Sequence, residues 1–150
     1  MAFAFHSFSD TDLPQLLDLW VASWSEVYAD IDFTQRRPWF TDHIAGWVAD
    51  NGQCRIATET NSGAITGFIL INTRTNLLDQ ICVGTAWKGR GVAEALMAEA
   101  RRLSPHEIRL DVNAMNHRAL GFYQREGFVK TGEGVNPRSG LPIFHYRWQP

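Results

Sequence analysis

Leu13, Leu16, Leu17, Trp20, Val21 and Trp24 recur at the spacing of one apolar helix face, i, i+3, i+4, i+7, i+8 and i+11. The polar run Ser9-Asp10-Thr11-Asp12 before them supplies capping groups, and Pro14 falls in the first turn, where its missing N–H costs no hydrogen bond. Upstream, Phe3, Phe5 and Phe8 form a short aromatic run that reads as a strand. A second helix is expected over residues 38–50, with Phe40, Ile44, Trp47 and Val48 on one face and Gly52 as its stop. Residues 25–37, between the two helices, carry no readable period; they suit an aromatic-anchored loop or short helix, or the lining of an acceptor site.

Beyond residue 52 the residues become β-branched and aromatic. Residues 53–60, a turn at Asn61-Ser62-Gly63 and residues 64–73 read as an antiparallel hairpin, and polar residues 72–76 turn the chain into a third strand over residues 77–83. The pattern then changes. A glycine-rich loop over residues 84–91 leads to a helix from Val92 to about Leu103, a strand at 108–112, a helix from about Asn116 to Arg125 and a strand from Phe128. A last strand at 143–149 is reached through a loop holding Gly134, Pro137, Gly140 and Pro142. Strand–helix–strand alternation after an antiparallel start implies a mixed α/β sheet with at least one parallel pair.

Length and composition narrow the reading. The chain of 150 residues suits one domain over residues 1–150, with no repeat or linker, and 45% hydrophobic with 20% charged residues is a globular balance. A net charge of −2 without a basic stripe argues against nucleic acid, so small partners are expected. Cys54 and Cys82 form neither a CxxC pair nor a metal-ligand spacing, so no zinc site or disulfide framework is expected and a reducing compartment suits them. The N-terminus lacks a basic patch followed by an apolar run, and no apolar stretch approaches the ~18 residues of a membrane span. A cytoplasmic, unanchored protein, monomer or homodimer, is the expectation.

Lys88, Gly89, Arg90, Gly91, Val92 and Ala93 follow a predicted strand and open a predicted helix. The first N–H groups of a helix lack internal partners and lie at the positive end of its dipole, so such a junction can hold a phosphate or diphosphate. The glycines let backbone approach the anion, and Lys88 and Arg90 add cations. Gly84 and Gly89 have Walker A spacing, but Arg90-Gly91 replace the required Lys-Ser/Thr, which disfavours nucleotide hydrolysis. Gly89-x-Gly91 with Asp111 about 20 residues on approaches a dinucleotide fingerprint, yet Glu94 occupies its third glycine position. Alone, the loop is equally a tight connection with solvated basic residues.

The run Asn116-His117-Arg118-Ala119-Leu120-Gly121-Phe122-Tyr123-Gln124-Arg125-Glu126-Gly127-Phe128 resembles the N-x-x-A-x-x-F-Y-x-x-x-G-F signature of the GNAT superfamily of acyl-CoA-dependent N-acetyltransferases. Lys88 to Ala93 resembles that family's Q/R-x-x-G-x-G/A loop, with Lys88 at a position that is usually Gln or Arg. Together the motifs cover roughly a third of the chain. The resemblance implies a GNAT-like fold: a twisted mixed sheet of about six to seven strands, splayed between the fourth and fifth, flanked by about four helices.

It further implies acetyl-CoA as co-substrate, with Lys88, Gly89, Arg90, Gly91, Val92 and Ala93 at the diphosphate. Backbone groups of Ile81, Cys82 and Val83 would take the pantetheine amides and Asn116 would hold that arm from the other side. Tyr123 resembles the family's general acid for the departing thiolate; its plain alternative is a half-buried packing aromatic. A backbone N–H near Cys82 or Val83 would serve the developing oxyanion. Asp79 stands where many relatives carry Glu and could accept the amine's proton through water, or be a solvated strand carboxylate; His117 and His145 are reserve bases. Cys82 itself reads as a small buried residue rather than a nucleophile. Trp20, Trp24 and Trp47 suit core packing, Trp39 is the best placed for an acceptor contact, and Trp87 could cover part of the coenzyme. The implied activity is transfer of an acetyl or short acyl group to a primary amine of a small molecule or peptide, without a metal. Its rivals are a non-catalytic acyl-CoA-binding sensor and, further off, acylation of a hydroxyl.

Overall fold

A computed structural model describes residues 2–150; Met1 lies outside the described residues. The strands are β1 (Phe3–Ser7), β2 (Gln53–Glu59), β3 (Ile65–Asn72), β4 (Leu77–Val83), β5 (Ile108–Asn113), β6 (Val129–Val135) and β7 (Pro142–Trp148). The helices are α1 (Leu13–Val27), α2 (Arg37–Ala49), α3 (Val92–Leu103) and α4 (His117–Arg125), with short 3-10 turns at Asp10–Asp12, Phe33–Arg36 and Thr85–Trp87. The strands form one seven-stranded sheet in the order β1-β2-β3-β4-β5-β7-β6. Only β4 and β5 run parallel.

The central strand shows why the sheet is covered on both faces. In β3, Phe68 and Leu70 pack with Leu16, Trp20, Phe40 and Ile44 of α1 and α2. Ile69 and Ile71 pack the other way, with Leu96, Met97 and Ala100 of α3. Successive side chains leave a strand on opposite faces, so an uninterrupted apolar run is what two covering layers require. The apolar stripe of α1 is buried through Leu16, Leu17 and Trp20, as its spacing predicts. On α2, Phe40 and Ile44 are buried but Val48 is 44% exposed, which narrows the expected face. Its stop is Asn51 as well as Gly52: Asn51 takes the left-handed conformation at φ 64°.

Glu99 of α3 is buried beneath β2. It accepts hydrogen bonds from Arg102 Nε (2.6 Å) and Arg55 Nε (2.8 Å), and Arg55 also reaches Ser7 Oγ (2.9 Å), so one carboxylate ties α3 to the β1–β2 edge. The Arg102 hydrogen bond, then that of Arg55, holds the Glu99 carboxyl below its ordinary value of 4.5. A carboxyl with a lowered folded-state pKa stabilises the fold above the unfolded value and loses that contribution as pH falls through the folded one. Glu99→Gln should therefore cost about 1–3 kcal/mol at pH 7, the range for unpairing buried charged partners. Urea unfolding should show the gap between wild type and variant closing in acid, below the ordinary carboxylate range.

Candidate active site

β4 and β5 share a single register pair, Leu77 with Arg109, at one end. That end is clamped by Asn76, whose carbonyl accepts from Arg109 N–H (2.8 Å) and whose side chain meets Ser104 Oγ (3.1 Å) and Glu107 (3.4 Å). Beyond it the strands diverge and a cleft of about 640 Å³ opens. Gly84 N–H donates to Thr66 of β3 at 2.7 Å. Alternation along β4 then turns the backbone N–H and C=O of Ile81 and Val83 into the gap, and those of Cys82 toward β3. Of the two suggested oxyanion donors, Val83 has the amide on the open side.

A β-bulge shapes the same strand. Leu70 pairs with Gln80 while its neighbour Ile71 pairs with Leu78, so Asp79 is the extra residue. Bulges re-aim side chains. Here Asp79 Oδ2 accepts a hydrogen bond from His43 Nε2 of α2 at 2.7 Å, and both residues line the cleft. His43 in turn stacks on Trp39, ring centroids 4.9 Å apart and planes within 16°. His43 is not among the expected site residues; the signal it leaves in the sequence is the i, i+4, i+8 run of Trp39, His43 and Trp47 beside the apolar face of α2.

Asp79, Ile81, Cys82, Asn116 and Tyr123 all line this one cleft; Val83 and residues 88–93 lie outside its lining. Tyr123 is 8% exposed, set edge-on to Phe122 (5.6 Å) and Tyr146 (6.3 Å). Burial pushes its phenol above the ordinary value of 10, so it is a protonated donor across the neutral range. Asn116 caps α4, its side-chain oxygen accepting from Ala119 N–H at 3.3 Å, which leaves its amide hydrogens uncommitted by the cap. Trp20, Trp24 and Trp39 all line the cleft: Trp39 is 38% exposed, Trp24 is half-buried and stacked on Tyr28, and Trp20 is buried between Phe33 and Phe40, while Trp47 bonds the backbone of Gln53 at 3.2 Å.

The reserve bases stand apart. His117 is exposed at the start of α4, and His145 Nδ1 meets Asp111 Oδ1 at 2.5 Å on the β5–β7 surface. Among the described residues no group of three or more His, Cys, Asp and Glu could hold a metal, and no helix is long and apolar enough to cross a membrane.

The glycine loop has the shape its sequence asks for. Gly89 (φ +76°) and Gly91 (φ +85°) are left-handed, a conformation that costs a side-chain-bearing residue roughly 1–2 kcal/mol. The first backbone bond of α3 runs from Ala95 N–H to Gly91 (3.0 Å), so the N–H groups of Val92, Ala93 and Glu94 have no intrahelical acceptor. Burial of the Val92 side chain fixes the start of the helix while Gly89, Arg90 and Gly91 stay exposed. Lys88 is already spent: its ammonium pairs with Glu26 of α1 at 2.6 Å. Arg90 lies over Trp87, 5.3 Å from the ring. The residues fit a diphosphate held by backbone amides, with Arg90 as the cation not bound to a carboxylate.

A sheet splayed beside a glycine-turned helix start brings a buried phenol and a His–Asp pair to one gap. Residues 41–150 match the family model of the acetyltransferase (GNAT) domain, and the chain belongs to that family. It is 31% identical over 123 residues to the L-amino acid N-acetyltransferase AaaT of Escherichia coli (strain K12), covering 73% of each chain. It is 24% identical over 145 residues to the peptidyl-lysine N-acetyltransferase YiaC of the same organism, covering 92% of this chain and 91% of the relative. Its fold matches that of the PaiA N-acetyltransferase from Thermoplasma acidophilum, solved in complex with coenzyme A, with TM-score 0.81 over 100% of both chains at 18% identity.

Burial pushes the thiols of Cys82 and Cys54 up to about 12, which keeps both in the unreactive protonated form. Native protein at pH 8 should therefore react with a thiol reagent only on the timescale of unfolding, and two thiols should appear at once in denaturant. Rapid labelling of Cys82 in the folded protein, read by mass spectrometry, would contradict its burial.

Proposed function

We propose that residues 1–150 form one catalytic domain that transfers an acetyl or other short acyl group from acetyl-CoA to a primary amine of a small molecule or peptide. The amine attacks directly while both substrates are bound. The observation that carries this reading is the convergence of Tyr123, Asp79 and His43 on the cleft opened by the β4–β5 splay. The L-amino acid and peptidyl-lysine specificities in the names of two relatives agree with an amine acceptor.

Acetyl-CoA supplies the thioester whose C–S bond breaks as the C–N bond forms. The amides of Val92, Ala93 and Glu94, together with Gly89, Arg90 and Gly91, hold the diphosphate; Lys88 steadies the loop through Glu26. Ile81 and the Val83 carbonyl offer an open strand edge to the amides of the pantetheine arm, as in strand addition, and Asn116 closes on it from α4. The Val83 N–H, fixed in the sheet, faces the developing negative charge without reorganising. Asp79 and His43 act as one unit that takes the proton from the attacking amine. Tyr123 donates a proton to the departing thiolate, and its burial keeps that proton in place.

Thiol release from acetyl-CoA across a panel of amines and peptides tests the activity: amine-dependent release is expected, whereas a sensor would bind coenzyme A without it. Tyr123→Phe should lower turnover by roughly 10²–10⁴-fold, the range for a lost general acid, with coenzyme binding nearly unchanged by calorimetry. Unchanged turnover removes Tyr123 from the mechanism. Because burial raises the phenol above 10, kcat/KM should show no basic limb from its ionisation up to about pH 9.5. A wild-type basic limb below that point, absent in Tyr123→Phe, would contradict the protonated donor.

A further inference from the structure

We propose that Arg138 anchors the carboxylate of an α-amino acid whose α-amine is presented to the Asp79–His43 pair. This rests on the acyl-transfer reading above and names the acceptor that the same cleft takes.

The placement starts from a stack. Arg138, in the loop between β6 and β7, holds its guanidinium carbon 4.2 Å from the Trp39 ring centroid. Trp39 stacks on His43 at 4.9 Å, and His43 bonds Asp79 at 2.7 Å. The guanidinium therefore stands within about 9 Å of the imidazole. Because about 9 Å is the most that the two stacks allow, a hydrogen bond of about 3 Å at each end leaves no more than about 3 Å between them, the separation of the amine nitrogen and a carboxylate oxygen in an α-amino acid. A lysine ε-amine at the same pair would carry any carboxylate several ångströms too far.

Charge points the same way. The acids of the cleft are already engaged, Asp79 with His43 and Asp111 with His145. Its two arginines are not: Arg138 lies over Trp39 and Arg36 over Phe33 (5.2 Å), and among the described residues neither pairs with a carboxylate. Stacking uses the face of the guanidinium and leaves its N–H edges for a planar anion. A polyamine or basic peptide would instead bring a second cation up to these arginines, a repulsive arrangement. The loop is organised for the task, since Asn136 Oδ1 accepts from the backbone N–H of Arg138 at 2.9 Å and of Ser139 at 3.4 Å. Val27, Trp39 and Leu141, respectively 42%, 38% and 41% exposed, leave apolar surface in the same cleft for an apolar side chain.

The probe is accordingly L-phenylalanine against L-phenylalaninamide, cadaverine and a lysine peptide, with acetyl-CoA and thiol release as readout. Wild type should favour the free acid over its amide by at least about tenfold in kcat/KM. Arg138→Gln should erase that preference mainly through KM, and Arg138→Lys should restore part of it. Calorimetry on coenzyme A-saturated protein gives a readout without turnover: N-acetyl-L-phenylalanine should bind, its amide should bind more weakly, and Arg138→Gln should remove the difference. Equal or better use of the amide, the diamine or the peptide overturns the carboxylate anchor while leaving acyl transfer standing. An acid preference that survives Arg138→Gln overturns the residue assigned to it. Absence of thiol release with every amine, together with no heat from coenzyme A, overturns both readings.

Discussion

One incomplete ladder governs this molecule: among the described residues β4 and β5 share a single register pair, Leu77 with Arg109. Unpaired backbone groups in a sheet interior are costly unless something else takes their hydrogen bonds. The cost is borne because both strands are held independently, β4 along β3 and β5 along β7, with an apolar layer on each face. At the closed end, left-handed Asn76 (φ 61°) gathers Arg109, Ser104 and Glu107. At the open end a hydrogen bond from Asn113 to the Tyr28 hydroxyl ties the end of β5 to the C-terminus of α1. Hydrogen bonds thus tie the gap at both ends.

The chemistry follows from what fills that gap. A bulge places the Asp79 side chain against α2, and α2 is fixed there by Phe40 and Ile44 in the core. His43 consequently reaches Asp79 from a rigid helix, with Trp39 against its ring face. Tyr123 comes from the opposite cover layer, where Phe122, Phe128 and Tyr146 surround it. The proposed proton acceptor and proton donor therefore descend from different layers and line one cleft only because the sheet between them is parted. Closing the splay would abolish the site without removing any of its side chains.

Those parts of the fold set by local periodicity or by backbone geometry were legible in the chain. β4 and α3 begin and end where alternation and the apolar stripe place them, and the left-handed glycines at 89 and 91 are what a strand-to-helix anion loop needs. The paired features were not legible. The bulge at Asp79 is a property of register between two strands, and no single strand's pattern encodes it. His43 and Asp79 are 36 positions apart and meet only through packing. Lys88 read as a free cation beside the phosphate loop, yet Glu26, well back along the chain, takes it. Val48 read as buried because it falls near the α2 stripe, but that helix turns only Phe40 and Ile44 fully inward.

The two halves of the cleft differ in legibility for a physical reason. The half proposed for the coenzyme is made of main chain: an open strand edge and the first turn of a helix, the latter entered through glycines at left-handed φ angles. The acceptor half is made of side chains on the α1–α2 and β6–β7 connections, where no core constrains residue choice. Tyr28, Phe33 and Arg138 are spread over connecting segments with no period of their own, and Trp39 lies in the first turn of α2. On the proposed reading, changing Arg138 or Trp39 alters what the cleft admits without touching the strands that part.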